Sequence, residues 1–195
     1  MRSFTITAVV VIIALIFLMG GCNKYNGFVE QEENVENAWS KVQSAYQRRA
    51  DLIPNLVATV KGYAEHERGT LEAVTKARSK ATSITIDPAN ATPEQLKQFS
   101  EAQSELSKSL GRLMMISENY PDLKANANFR ELQAQLEGTE NRIKVERDRF
   151  NDEVTKFNKS VRKFPASFFA SIFGFKEKAQ FSAQEGAENA PKVEF

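Results

Sequence analysis

Residues 129–164 read FRELQAQLEGTENRIKVERDRFNDEVTKFNKSVRKF. Apolar side chains recur at Phe129, Leu132, Leu136, Ile143, Phe150, Val154, Phe157, Val161 and Phe164. Thr139 and Glu146 fill the two gaps in this alternating three- and four-residue spacing. The spacing predicts one long α-helix with a single apolar stripe. Its other faces are polar, from Arg130 and Glu131 through Arg147, Asp148 and Arg149. A helix of this kind is not stable alone and requires partner helices with matching stripes.

Those partners lie upstream. A second stripe runs Phe28, Val35, Trp39, Val42, Tyr46, Ile53, Leu56, Val60 and Tyr63, and continues through Leu71, Val74, Arg78 and Ala81. Unbroken, residues 28–83 would form a helix of about 84 Å at 1.5 Å per residue. Pro54 interrupts the pattern, so a kink or break is expected near Ala50–Ile53, with Asp51 placed to cap a fresh helix. Arg68-Gly69 is a second weak point. Residues 83–91 (SITIDPANA) read as a loop. Thr92-Pro93-Glu94-Gln95 then gives a capping box with Pro at the first helical position. The third stripe is Leu96, Phe99, Leu106, Leu110, Leu113, Ile116 and Tyr120; Pro121 is expected to end or bend it, and Asn128 to cap the helix that opens at Phe129.

The fold class is therefore all-α: an antiparallel up-and-down bundle of three to four long helices. The 9 Gly and 6 Pro among 195 residues suit long helices. Formal net charge is +1, and outside residues 1–21, whose only charge is Arg2, basic and acidic residues balance. That balance argues against a nucleic-acid partner, which would want a net basic surface. One Cys and one His exclude an intrachain disulfide and a multi-Cys or multi-His metal site.

Residues 4–21 (FTITAVVVIIALIFLMGG) carry no charge and match the lower edge of a membrane span of roughly 17–25 residues. The run predicts an N-terminal membrane segment, with the membrane as partner through residues 4–22. Met19-Gly20-Gly21-Cys22 resembles a bacterial lipobox, which makes Cys22 a lipidation candidate; the other reading is a plain signal anchor. Both place the bundle on the exported side, periplasmic or extracellular. The chain divides into a signal or anchor segment (1–22), the helical bundle (23–165, opened by a polar junction at 23–27), a Phe-rich capping segment (166–181) and a polar tail (182–195) read as disordered.

The stretches RRADLIPNLVATVKGYAEHE (48–67), ENYPDLKANANFRELQAQLEGTENRI (118–143), RFNDEVTKFNKSVRKFP (149–165) and FGF (173–175) resemble the LemA family of bacterial envelope proteins. The likeness covers about residues 23–181. It implies a four-helix bundle behind one N-terminal membrane segment. No biochemical activity is established for the family as a whole, and the residues suggest no cofactor. As partners the likeness implies other envelope proteins, such as a TPM-domain protein or a membrane zinc metalloprotease.

Candidate chemistry is sparse. His66 sits between acids in EHE, with no HExxH and no second His. Arg49 and Glu146 lie on the stripes of the first and last helices and are expected to meet, or each to find another buried partner, because an unpaired buried charge costs several kcal/mol. The stretch Gly138 to Arg142 is expected to pack closely against Pro54-Asn55, with Asn55, Glu140 and Arg142 hydrogen-bonding there and satisfying carbonyls freed by Pro54. The polar cluster is thus Arg49, Asn55, Glu140, Arg142 and Glu146, read first as structural. Ser104, Ser107 and Ser109 read as a solvated face. No catalytic set and no small-molecule substrate is identified. The expected role is a membrane-anchored interaction, scaffold or accessory protein. The other readings are an envelope hydrolase or metal enzyme with a site in the bundle, and lipid interaction through the Phe-rich segment.

Overall fold

A computed structural model describes residues 2–182, with side chains described for residues 20–182 other than 65. The chain is all-helical: α1 (Arg2–Lys61), a 3₁₀ turn (Glu65–Glu67), α2 (Arg68–Ser83), α3 (Pro93–Ser117), α4 (Pro121–Ala125), α5 (Ala127–Arg162) and α6 (Ala166–Phe173). α5 runs antiparallel along α1. Trp39 stacks edge-on with Phe150 at 5.3 Å, and Arg49 meets Glu140. α2 and α3 form the second antiparallel pair, linked by Lys80 to Glu105 at 2.7 Å. The polar tail expected at 182–195 lies, from residue 183 onward, outside the described residues. So, up to residue 19, do the side chains of the apolar run 4–21. Among the described residues no helix is long and apolar enough to cross a membrane.

The stripe of α5 is buried as its spacing demands: Phe129, Leu136, Ile143, Phe150, Val154, Phe157 and Val161 are all core residues, and Thr139 and Glu146 are buried with them. Phe164 is not, because α5 ends at Arg162 and Phe164 is 88 % exposed. The core has two parts. One gathers around Trp39, Phe99, Phe150 and Phe157. The other gathers around Leu56, Leu106, Leu113 and Phe129.

Three expected boundaries are corrected. The junction at 23–27 is helical, inside α1. The chain reverses not at Pro54 or at Gly69 but at Gly62–Ala64, where Gly62 is a poor helix former and Ala64 turns inward to 1 % exposure. Pro121 opens the short helix α4, and Asn126 rather than Asn128 caps α5, its side chain accepting from Phe129 N at 3.0 Å. The capping box of Thr92 and Gln95 stands at the start of α3.

Pro54 lies inside α1 without breaking it. The missing Pro54 N–H orphans the carbonyl one turn back, at Ala50. Arg78 of α2 supplies the substitute: its Nε donates to Ala50 O at 2.7 Å. Asn55, Glu140 and Arg142 do not perform that service. A partner helix therefore holds α1 together at the point where its own ladder fails.

After α6, Gly174 takes a left-handed conformation (φ +81°) that favours glycine and reverses the chain. Phe173 and Phe175 then flank Tyr25 edge-on, at 5.1 and 5.7 Å. The following extended strap is clamped to α5 by two asparagines. Asn158 exchanges a pair of 2.8 Å hydrogen bonds with the backbone of Lys178. Asn151 does the same with Phe181, at 3.0 and 2.9 Å. Phe181 is thereby buried beside Trp39, Phe99 and Phe150, with the Arg147 guanidinium 4.4 Å from its ring centre. Lys178 is buried too, its Nζ reaching Glu32 at 2.7 Å.

If Arg78 repairs the proline gap, its worth depends on Pro54. Arg78→Met is expected to cost about 1–2 kcal/mol in chemical unfolding. In a Pro54→Ala background the restored N–H takes Ala50 O, and the same substitution should cost less than about half of that. Equal costs in the two backgrounds would sink the account.

Candidate functional site

The most elaborate polar arrangement is built on Arg49. It occupies a stripe position of α1 between Tyr46 and Ile53, so its stem enters the core and the side chain is 1 % exposed. Nη1 donates to Glu140 Oε1 at 2.5 Å and to Ser107 Oγ at 2.7 Å. Nη2 donates to Gln103 Oε1 at 2.5 Å. Gln103 Nε2 passes the connection on to Ala81 O of α2 at 3.0 Å. The guanidinium also lies 5.2 Å from the Tyr46 ring centre. Its Nε is buried with no hydrogen-bond partner. One charge thus ties α1, α2, α3 and α5 in a polar layer between the two apolar halves of the core.

Burial raises the Tyr46 phenol above its ordinary range; the nearby Arg147 and Arg49 oppose that shift without cancelling it. Glu140 is the outlet of the layer to water, with 42 % of its side chain exposed.

Glu146 does not meet Arg49. It is fully buried and pairs within its own helix, with Arg142 Nε at 2.6 Å and Arg149 Nη1 at 3.1 Å. Antiparallel register explains the difference. Trp39 opposite Phe150 and Arg49 opposite Glu140 set the pairing, which leaves Glu146 nearly two turns away from Arg49. Each charge finds another partner, but those of Glu146 are exposed arginines and not buried ones. The five residues of the expected cluster therefore separate: Arg49 with Glu140, Arg142 with Glu146, and Asn55 exposed on α1 apart from both.

Gly138 does not receive the Pro54-Asn55 segment either. A Cβ built there would meet nothing within 4 Å. Position 138 instead borders a groove of about 610 Å³ between α1 and α5, which Lys41, Ser44 and Arg48 line from one side and Gln135, Thr139 and Arg142 from the other. Three cations flank it.

Gln103, Ser107 and Arg78 were not picked out as partners from the sequence. Gln103 stands at the one unfilled stripe position between Phe99 and Leu106, a gap of the same kind as Thr139 and Glu146, and that was its signal. Ser107, read as solvated, is half-buried in the Arg49 layer because it follows Gln103 by one turn on α3. His66 is exposed in the 3₁₀ turn, and Cys22 is exposed on α1. Among the described residues no three or more His, Cys, Asp or Glu side chains gather as a metal-holding set.

Comparison with known proteins matches residues 38–195 to the model of the LemA family. The chain is 27 % identical over 170 residues to Protein LemA of Metamycoplasma hominis, covering 87 % of this chain and 74 % of that protein. It is 26 % identical over 187 residues to the magnetosome protein MamQ of Magnetospirillum gryphiswaldense, covering 87 % and 68 %. The MamQ 2 protein of Paramagnetospirillum magneticum is 25 % identical over the same length and coverage.

Two outcomes check the Arg49 layer. Removing Glu140 strands a guanidinium that water cannot reach, whereas removing Arg49 strands a carboxylate that water already touches. Glu140→Leu should therefore cost about 2–3 kcal/mol and Arg49→Met less, with the double variant more stable than Glu140→Leu alone. Alkaline titration tests Tyr46. Its folded pKa lies above the ordinary 10.0, so the neutral phenol's contribution is complete below that value and is lost as pH rises from 10.0 through the folded pKa. The stability gap between wild type and Tyr46→Phe should be constant up to about pH 10 and shrink above it; a constant gap to pH 12 would contradict the assignment.

Proposed function

The chain belongs to the LemA family, and on that footing we propose that it is a membrane-anchored, non-enzymatic interaction protein of the cell envelope. Residues 4–21 enter the membrane, and a four-helix, up-and-down type body stands on the exported side. The observation that carries this reading is the continuity of α1. One helix runs from Arg2 to Lys61, about 90 Å at 1.5 Å per residue. The apolar run is thus an axial extension of the helix whose other half is the spine of the core.

Gly21 favours an uncleaved helical anchor over lipidation at Cys22. It is buried, and a Cβ there would lie 3.2 Å from the Phe169 ring, so α6 seats on its bare backbone. Cleavage before Cys22 would remove that seat. The small residue is then explained by packing and not by a processing signal.

For the partner, the groove beside Gly138 offers a basic surface between two helices. Its Lys41 and Arg48, beside an Arg142 already paired with Glu146, suit an acidic segment of another envelope protein, of which the TPM-domain protein and the membrane zinc metalloprotease are the first candidates. The metal-enzyme reading required two acidic side chains converging on His66 in a cleft. His66 lies exposed in the 3₁₀ turn.

Mass spectrometry of the membrane-extracted protein is expected to find an intact Met1; a diacylglyceryl Cys22 as the new terminus would replace the helical anchor with a lipid one. A photo-crosslinking side chain placed at Ser44, in cells, should give a discrete adduct that weakens several-fold when Lys41 and Arg48 become Gln. An adduct pattern indifferent to those charges would remove the groove as the partner face.

A further inference from the structure

α6 and the end of α5 form a patch unlike the rest of the surface. Among the described residues the exposed large apolar side chains are Tyr25, Tyr63, Met115, Val145, Phe164, Phe168, Ile172 and Phe173. Five of these eight belong to α6, to its lead-in or to the α1 segment beneath it. Phe164 is 88 % exposed and Ile172 is 59 % exposed. Exposed aromatic and aliphatic groups gathered in this way mark a binding surface, whereas single ones do not.

The charge around the patch is equally one-sided. Lys24 of α1, Lys156 and Lys159 of α5 and Lys163 just past its end line one groove of about 420 Å³ with Phe164 and Pro165. Lys156 is shared with Glu153 at 2.7 Å, and Arg162 faces Glu177 at 3.7 Å, so the local balance stays positive. The Phe-rich segment 166–181 itself carries only Lys176 and Lys178, both in the strap after α6. The groove lysines arrive from α1 and the end of α5, and Lys178 is itself buried against Glu32.

Position decides the occupant. Phe169 and Phe173 rest on Gly21, the last residue of the apolar run 4–21. α6 therefore sits where α1 would leave a bilayer. A rim of lysines with aromatic side chains between them, at that depth, has the chemistry of an interfacial contact: rings at the headgroup level and ammonium groups on phosphates.

We propose that α6 and the lysine groove are a membrane foot, which lays Phe164 and Ile172 into the interface of the bilayer that holds α1 and gathers anionic phospholipid around Lys24, Lys156, Lys159 and Lys163. The proposal rests on membrane anchoring through residues 4–21 and adds a second contact to it. Its consequence is orientation. A lone helix leaves a body free to swing, whereas helix and foot together fix which faces point along the membrane.

The test uses the full chain in vesicles of phosphatidylcholine containing a photoactivatable phosphatidylglycerol or, at equal mole fraction, a photoactivatable phosphatidylcholine. Adducts are mapped by mass spectrometry, and attachment is read separately by alkaline carbonate extraction. The foot predicts adducts on peptides spanning 156–176, at least about threefold more with phosphatidylglycerol, and none around Met115. Phe164→Ser with Ile172→Ser, both at exposed positions, should abolish those adducts while carbonate resistance persists. Lys156→Gln, Lys159→Gln and Lys163→Gln together should erase the phosphatidylglycerol preference. Adducts confined to residues 4–22 in a carbonate-resistant protein would overturn the foot and leave the anchor standing, as would capture of a second copy or another protein at Phe164 in place of lipid. Foot adducts without headgroup preference would overturn the anionic assignment. Release by carbonate with foot adducts present would overturn the anchor alone, and release without them would overturn both.

Discussion

A buried guanidinium is the constraint on which the rest of the structure depends. Arg49 is 1 % exposed in the middle of α1, and a charge there must be paired and hydrogen-bonded or it costs several kcal/mol. Its partners come from α3 and α5, and through Gln103 the connection reaches α2. Shift α5 by one turn and Arg49 would face Leu136 or Ile143, apolar on either side of Glu140. A stripe of leucines and phenylalanines tolerates such a slip; the charge does not. The polar layer thus sets register in the manner of single polar positions in coiled coils. It divides the core in two and opens to water at Glu140 and the half-buried Ser107, so the charge pair is held at the boundary and not in a sealed interior.

Pro54 shows the same economy in the backbone. A proline in mid-helix removes one hydrogen bond and normally bends or ends the helix, at about 3 kcal/mol. Here the orphaned carbonyl of Ala50 faces α2, and Arg78 fills it. The repair sits one residue beyond Arg49 along α1, so two adjacent arginine contacts define how α2 and α3 lie on α1. Continuity past Pro54 matters for more than local stability. It lets a single element extend from the far turn at Gly62 to Arg2.

Periodicity made the helices legible, together with the buried α5 stripe and the Thr92 capping box. These follow from local spacing and from side chains that bond their own backbone. It did not reveal which polar positions face each other, because that depends on register between helices far apart in sequence. Arg49 and Glu146 both lie on stripes, yet Arg49 takes Glu140, which lies off the apolar stripe of α5 at the helix flank. Pro54 misled because its cost is fixed locally while its remedy, Arg78, arrives from another helix. Gly138 misled because an exposed glycine and a glycine at a helix crossing look alike in a single sequence. Phe164 looked like the last stripe residue, but Pro165 follows it and the helix stops first.

The asymmetry between the two ends of the body follows from the strap. Asn151 and Asn158 grip the backbone at Phe181 and Lys178, so the segment after Gly174 is held as an extra layer over the Trp39 half of the core. With Phe175 and Phe181 drawn inward, the left-handed turn at Gly174 leaves α6 as a short helix whose buried side is already used by Phe169 on Gly21. Its other side must face outward. A water-facing side would do best with polar residues there, as most of the described surface has apart from single side chains such as Met115. Phenylalanine and isoleucine stand there instead, beside lysines from two other helices and next to the residue where the apolar run of α1 ends. Burial of the strap and exposure of α6 are therefore two consequences of one chain reversal, and the exposed side is oriented by the same α1 segment that the proposed anchor continues.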